Sequence, residues 1–350
     1  MNKFFGLGKY KLFSDDIKRI ASVEAYQKCD SVEIFSLGDL RNNKEGDIVY
    51  LDGVGASSEL SRDKYMAYIS ELKASAIIVR DSNKDLFKDT NIAVFISESP
   101  KKSFIKLQEH FVQDLSLVEK SISERSFVDS SVEFVEKDSV AIGHFSVIEK
   151  NVKIGKNVVI GNNVVIGAGV EIGDGSIIRD GATIRYSILG NYCVIDEGAR
   201  LGTVGFGWAS DARGHVRVIH TGSVILGDFV EIGANTCIDR GVFEDSKISD
   251  GVKIDNLCQI AHNVNIGKHS ILAGGCCIAG SVEMGSFVLV GGNTAISGHL
   301  KIEDGANIGG MSGVIGNVSS GSSVWGLPAT NKRDYLRQTA ALRGLIKRKK

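Results

Sequence analysis

The chain has 350 residues, 43% of them hydrophobic, enough for one large domain or two to three smaller ones. Its 41 basic and 42 acidic residues leave a formal net charge of -1, which gives no support for a general nucleic-acid binder. Six cysteines, at 29, 193, 237, 258, 276 and 277, form no CxxC pair and no dense disulfide framework, so they read as small buried residues in a reducing compartment. The start, MNKFFGLGKYKLFSDD, lacks the long apolar run of a signal peptide, and no run long enough for a transmembrane segment occurs. The expected location is cytoplasmic, with contact to a membrane surface open to the basic tail.

Residues 1–100 predict a small α/β domain. ASAIIVR at 74–80 and NIAVFIS at 91–97 have strand composition, and SPKKSFIKLQEHFVQ at 99–113 has the spacing of a helix that, with a linker through residue 125, joins this domain to the next. From Ala141 the sequence reads AIGHFSVIEKNVKIGKNVVIGNNVVIGAGVEIGDGSIIRDGATI, with isoleucine at every sixth position from Ile142 to Ile184. A later phase holds aliphatic or Met residues every six positions from Ile248 to Val314. Six is a multiple of two and not of 3.6, which excludes a long amphipathic helix and predicts short strands separated by turns. Such units bury their apolar faces only by stacking on one another.

Three hexads make one triangular coil of about 18 residues, isoleucine inward and glycine or asparagine at the corner, where φ > 0 costs least. With strands about 4.8 Å apart, the roughly nine or ten coils over residues 126–325 form a prism on the order of 45 Å long. The geometry resembles the left-handed β-helix of hexapeptide-repeat proteins, and the hand is taken from that resemblance. The expected fold class is therefore mainly β, with a small N-terminal α/β domain and, over residues 326–350, a basic C-terminal helix.

The hexads fail at GTVGFGWASDARGHVRVIHTGSVI, an inserted arm of about residues 203–223 with Phe206, Trp208, His215 and His220, and again at DRGVFEDSKI, 239–248. Repeat proteins put insertions on one face, often the binding face, although a tolerated surface loop fits the same pattern. His262, two residues beyond the inward Ile260, belongs outside the prism. Asp255, Gly280 and His299 fall at or near corners on consecutive coils, where a base, a carboxylate and backbone N–H groups can converge; an idle surface histidine is the alternative. The histidines show no HxxxH or HExxH spacing, and GxxxxGK[ST] and GxSxG are absent, so metal, nucleotide-hydrolase and serine-hydrolase readings have no foothold.

The segments LGTVGFGWASDARGHVRVIHTGSVILGDFVEIGANTCIDRG (201–241), DNLCQIAHNVNIGKHSILAGGCCIAGS (255–281), GGNTAISGHL (291–300) and WGLPATNKRDYLRQTAALRGL (325–345) resemble the UDP-3-O-acylglucosamine N-acyltransferases of lipid A biosynthesis. The resemblance implies transfer of a 3-hydroxyacyl chain to the 2-amine of UDP-3-O-acyl-glucosamine. The donor would be the 4'-phosphopantetheine thioester of acyl carrier protein, with no cofactor bound by the enzyme itself. It further implies His262 as general base, Asp255 as the carboxylate that positions it, and Gly280 as the N–H facing the oxyanion. Asn256, Phe206, Trp208 and His299 would line the substrate site of a homotrimer with three shared sites.

By the same resemblance Tyr50 stands for an aromatic that stacks on uracil. The chain departs from the family there: VYLDGVGAS at 49–57 has Gly53 and Ala56 where an asparagine and a second aromatic are usual, which predicts weaker uridine binding. Arg333, Arg337 and Arg343, with the KRKK tail, form a basic cluster suited to steering an acidic carrier protein. A hexapeptide enzyme acting with acetyl- or acyl-CoA, a catalytically weak paralogue and a non-enzymatic scaffold are the competing readings.

Overall fold

The computed structural model describes residues 5–7, 11–52, 62–114, 121–326 and 332–347. It forms two compact units, Met1–Ser116 and Leu117–Lys350.

The first unit is built on a five-stranded sheet in the spatial order Glu24–Gln27, Ala93–Ile96, Ala76–Val79, Asp47–Leu51, Ser36–Leu37. Its first pair is antiparallel and the other three are parallel. Every residue of Ala76–Val79 is buried, as a strand covered on both faces requires. One face carries helices Ser14–Ala21 and Pro100–Phe111, through Ile17, Ala21, Phe104, Leu107 and Phe111. On the other, Val49, Ile77 and Val94 meet Ile69 and Phe87. The helix expected as a connector is thus part of this unit's core, because three of its apolar side chains find their burial there.

In the second unit the hexads form three parallel sheets of ten, nine and ten strands. These are called the first, second and third faces; the chain visits them in that order and then steps up one coil. Strands Gln259–Ile260, Asn265–Ile266 and Ile271–Leu272 represent the first, second and third faces in turn. The inward isoleucines, and the valines two positions before them, make one continuous buried column. The corner residue three past the inward aliphatic lies in the left-handed region, and asparagine and glycine take many of these positions, as at Asn151, Asn157, Asn163 and Gly169. Phe145, Tyr192, Phe229, Leu257, Phe287, His299 and Met311 also stand there. Left-handed geometry costs such residues roughly 1–2 kcal/mol each, so the stacked ladder imposes the corner even where the local residue resists it.

One further device recurs at these corners. The N–H of the residue two past the inward aliphatic points outward, and a carboxylate or amide one coil further on caps it. Asp180 Oδ1 accepts from Asn162 N at 2.6 Å, Asp174 from Lys156 at 2.7 Å and Asp304 from Ser286 at 2.7 Å.

The two insertions leave the prism at the same corner. Arg200–Val204 and Cys237–Arg240 are first-face strands, and the chain resumes on the second face at Val224–Leu226 and Ser246–Ile248. Pairing of Thr203–Val204 with Asp239–Arg240 carries the ladder past the expected start of the arm. Because Ile166 is fully buried in the column, Ile166→Ala should lower unfolding stability by about 2–4 kcal/mol, read from the urea midpoint at an unchanged slope.

Candidate functional site

His262 lies on the corner between the first and second faces, one coil above the loop 241–245 and two above the arm. Three successive coils therefore bring the arm, the loop and the histidine to one edge. At this edge the lattice cap is missing: the positions that would carry capping side chains above His262 are Gly280 and Gly298. Among the described residues no protein group accepts from the Gly280 N–H. Two bare glycines thus leave outward N–H donors beside the His262 ring, where corners such as Asn162 and Ser286 are closed.

The ring of His262 is half-buried and held on several sides. A methyl group on Gly280 would stand 2.7 Å from its Cε1 and 2.9 Å from Nε2, and one on Gly205 would stand 2.9 Å from Cδ2. Only bare backbone fits at either place. Asn263, next in sequence, sets the tautomer. Its Oδ1 accepts the Val242 N–H at 3.1 Å and its Nδ2 donates to the Glu244 carbonyl at 3.0 Å, which fixes the amide orientation. The same Oδ1 lies 3.0 Å from His262 Nδ1. An oxygen so placed accepts, so Nδ1 carries the hydrogen and Nε2 carries the lone pair, on the side of Gly280.

Two groups beside His262 escaped the sequence reading as site residues. His220, at the base of the arm, meets the His262 ring edge-on at 5.2 Å between centroids. Asp239, from the CIDRG segment, is buried; desolvation pushes its carboxyl above the ordinary range, opposed by a hydrogen bond from Thr203 and by the charges of His262 and His220. Arg240 anchors the return of the arm. Its Nε donates to the Gly222 carbonyl at 2.6 Å and its Nη2 to Thr221 at 2.9 Å, and its guanidinium lies 3.6 Å from the Tyr186 ring centre.

Of the expected site residues, His262, Gly280 and His299 share this edge; His299 is exposed and donates its N–H to the Gly280 carbonyl at 3.1 Å. Asp255 and Asn256 do not. They form the corner between the third and first faces, a different edge of the prism, where Asp255 accepts the Asn256 N–H and Asn256 caps Ala234. The expected convergence of Asp255 on His262 is therefore not made within one chain, since seven residues reach back beyond a whole face.

On the arm, Phe206 is 84% and Trp208 46% exposed, with rings 6.2 Å apart, and Trp208–Asp211 pairs with Gly214–Arg217 as a hairpin. In the first unit the Tyr50 ring packs 4.9 Å from Phe104, while Gly53 and Ala56 lie outside the described residues. Arg333, Arg337 and Arg343 are exposed on helix Lys332–Lys347, with Arg337 4.0 Å from Asp334. The Cys258 thiol is buried and held protonated by its contact with Cys276 and by burial, which makes it a poor nucleophile. Among the described residues no cluster of His, Cys, Asp and Glu is arranged to hold a metal, and no helix is long and apolar enough to cross a membrane.

Family models match the β-helical unit: the GMPPB C-terminal domain over residues 133–247 and the bacterial transferase hexapeptide (six repeats) over 245–280. A UDP-3-O-acylglucosamine N-acyltransferase 2 of Legionella pneumophila strain Philadelphia 1 is 55% identical over 165 residues, 47% of this chain and 48% of the relative. The UDP-3-O-acylglucosamine N-acyltransferase of Coxiella burnetii strain Dugway 5J108-111 is 41% identical over 222 residues, 63% of each chain. Over these stretches the chain is similar to UDP-3-O-acylglucosamine N-acyltransferases and carries bacterial transferase hexapeptide repeats. The match spans about half the length of the Legionella relatives. The Arabidopsis UDP-N-acetylglucosamine acyltransferase structure, 21% identical with a TM-score of 0.51 over 63% of this chain and 77% of that one, shares the fold, a left-handed β-helix.

Asn263 ties the histidine to the loop. Asn263→Ala should therefore cost about 2–3 kcal/mol of stability and, by freeing the ring's tautomer, lower turnover as well; paired melts and steady-state rates check both.

Proposed function

We propose that the protein is an N-acyltransferase that moves a 3-hydroxyacyl chain from the phosphopantetheine thioester of acyl carrier protein to the 2-amine of UDP-3-O-acyl-glucosamine. The observation that carries this reading is the His262 Nε2 lone pair set beside the bare Gly280 N–H. The relatives, UDP-3-O-acylglucosamine N-acyltransferases, suggest the acceptor and the transferred group.

An ammonium has no lone pair, so the amine must lose a proton before or as it attacks the thioester carbon. In the proposed step His262 Nε2 takes a proton from the nitrogen as the C–N bond forms. The Gly280 N–H faces the oxyanion, a kind of donor worth about 3–4 kcal/mol. Collapse re-forms the carbonyl and breaks the C–S bond, and the imidazolium returns its proton to the leaving sulfur. No covalent enzyme intermediate and no bound cofactor enter; the pantetheine arrives with its carrier.

The position of Asp255 on another edge supports a homotrimer in which a second copy contributes that carboxylate and, with Asn256, a further wall of the site. Phe206, Trp208 and His299 then line the substrate, Tyr50 takes part in holding uridine, and Arg333, Arg337 and Arg343 steer the acidic carrier. This assignment places the protein in early lipid A synthesis in the cytoplasm. A family member using acyl-CoA shares the same corner, and equal turnover with a CoA thioester would favour it.

The test is a steady-state assay with acyl carrier protein thioester and UDP-3-O-acyl-glucosamine, run beside a thermal melt. Since the ring points away from the isoleucine column, His262→Ala should melt normally, with kcat lower by about 10²- to 10⁴-fold. Normal melting with turnover near that of the parent would remove His262 from the mechanism.

A further inference from the structure

We propose that Asp239 and His220 are positioning residues for His262: a buried carboxylate and a buried imidazole lone pair that favour the protonated ring formed when His262 takes the acceptor's proton. The proposal rests on the acyl-transfer reading above.

His220 is 4% exposed, and its Nδ1 lies 3.0 Å from the Val218 carbonyl. A carbonyl only accepts, so Nδ1 carries the hydrogen and the neutral ring presents a lone pair at Nε2. Among the described residues this Nε2 is the buried side-chain polar atom without a hydrogen-bond partner. An orphan acceptor lowers stability, and its retention calls for a reason. It lies beside His262. The two rings are nearly perpendicular, at 77°, and both meet over Gly205, where an added methyl would be 2.8 Å from His220 Nε2 and 2.9 Å from His262 Cδ2.

Asp239 stands on the first-face strand below. Its Oδ1 accepts from Thr203 at 2.6 Å and its Oδ2 from Gln259 at 3.0 Å, so protein donors hold both oxygens in place and the group meets the ring through its charge. Both groups thus act through His262. A buried negative charge and a nearby lone pair favour a cation more strongly than they would in water.

The remaining charged groups around the ring are turned elsewhere. Arg240 is committed to carbonyls and to Tyr186, Glu244 offers its backbone oxygen, and Asp245 accepts the Ser223 N–H. Arg200, on the adjacent strand, donates to the carbonyls of Gly181, Gly198 and Ala199. Asn263 is neutral, and His299 stands exposed above.

The sign follows directly. The base works when neutral, so losing the carboxylate lets it stay neutral in more acid solution while weakening the imidazolium of the reaction. Asp239→Asn, whose amide can donate to Thr203 Oγ1 and accept from Gln259, should move the acid limb of the kcat/KM profile down by about one pH unit and lower the plateau about tenfold. His220→Phe keeps the edge-on packing and deletes the lone pair. It should shift the limb in the same direction by less and melt at or above the parent.

An NMR titration of the His262 ring, assigned by its loss in His262→Ala, reads the same midpoint without turnover. Lowered midpoints in both variants support the proposal even if no protein acylates the sugar, in which case the functional reading alone falls. Midpoints within about 0.2 of the parent in two normally melting variants overturn it.

Discussion

The structure depends on what a β-helical corner does with its outward N–H. A main-chain donor turned away from the core needs an acceptor, and at several corners of this prism an Asp or Asn one coil ahead supplies it, as Asp180 does for Asn162 and Asp304 for Ser286. The cap closes the corner. Where Gly280 and Gly298 replace the capping residue, the corner opens, and its donors become available to an incoming oxygen. The same substitution makes room for the His262 ring, which no side chain at 280 would permit. One change in the repeat thus creates both the space and the polarity of the site.

The insertions complete it for a geometric reason. Both leave the prism at the edge where His262 stands, so each can deliver groups to the ring without breaking the isoleucine column. The loop 241–245 offers the Val242 N–H and the Glu244 carbonyl, which together orient Asn263 and through it the tautomer of the histidine. The arm delivers Gly205 and His220, and Arg240 pins its return at Thr221 and Gly222. Burial of Asp239 and of an unpartnered His220 nitrogen works against stability. A rigid stack of ten coils can absorb that cost, much as it absorbs Leu257 and Phe287 in left-handed corners.

Much of the fold was legible because one inward aliphatic per hexad is a signal in the sequence itself. Ile142 to Ile184 and Ile248 to Val314 mark every coil they occupy, and between them the phase fails at the two insertions and at the five-residue step from Ile184 to Leu189. The site was legible only in part. His262 and Gly280 differ by one coil and could be aligned by counting, with His299 one residue off the next coil. Asp255 could not, because seven residues back from His262 lies the previous corner, so nearness in sequence became distance around the prism. His220 and Asp239 reach the ring through segments whose lengths break the count. CIDRG carried the resemblance, but nothing in the motif says that its carboxylate is buried within the electrostatic reach of two histidines. Nor does spacing show that the helix Pro100–Phe111 belongs to the first core; Phe104, Leu107 and Phe111 are apolar whichever partner they meet.

The central claim is that the missing cap at Gly280 makes the corner a reaction site. The most direct measurement supplies that cap from the coil above, with Gly298→Asn assayed for transfer from acyl carrier protein thioester to the sugar amine beside a thermal melt; a side chain at 298 meets no part of the His262 ring. The backbone at 298 does not need φ > 0, so the account predicts a folded protein melting within about 4 °C of the parent and turnover lower by about 10²-fold or more. A folded variant with turnover within about threefold of the parent would show that acyl transfer does not use this corner.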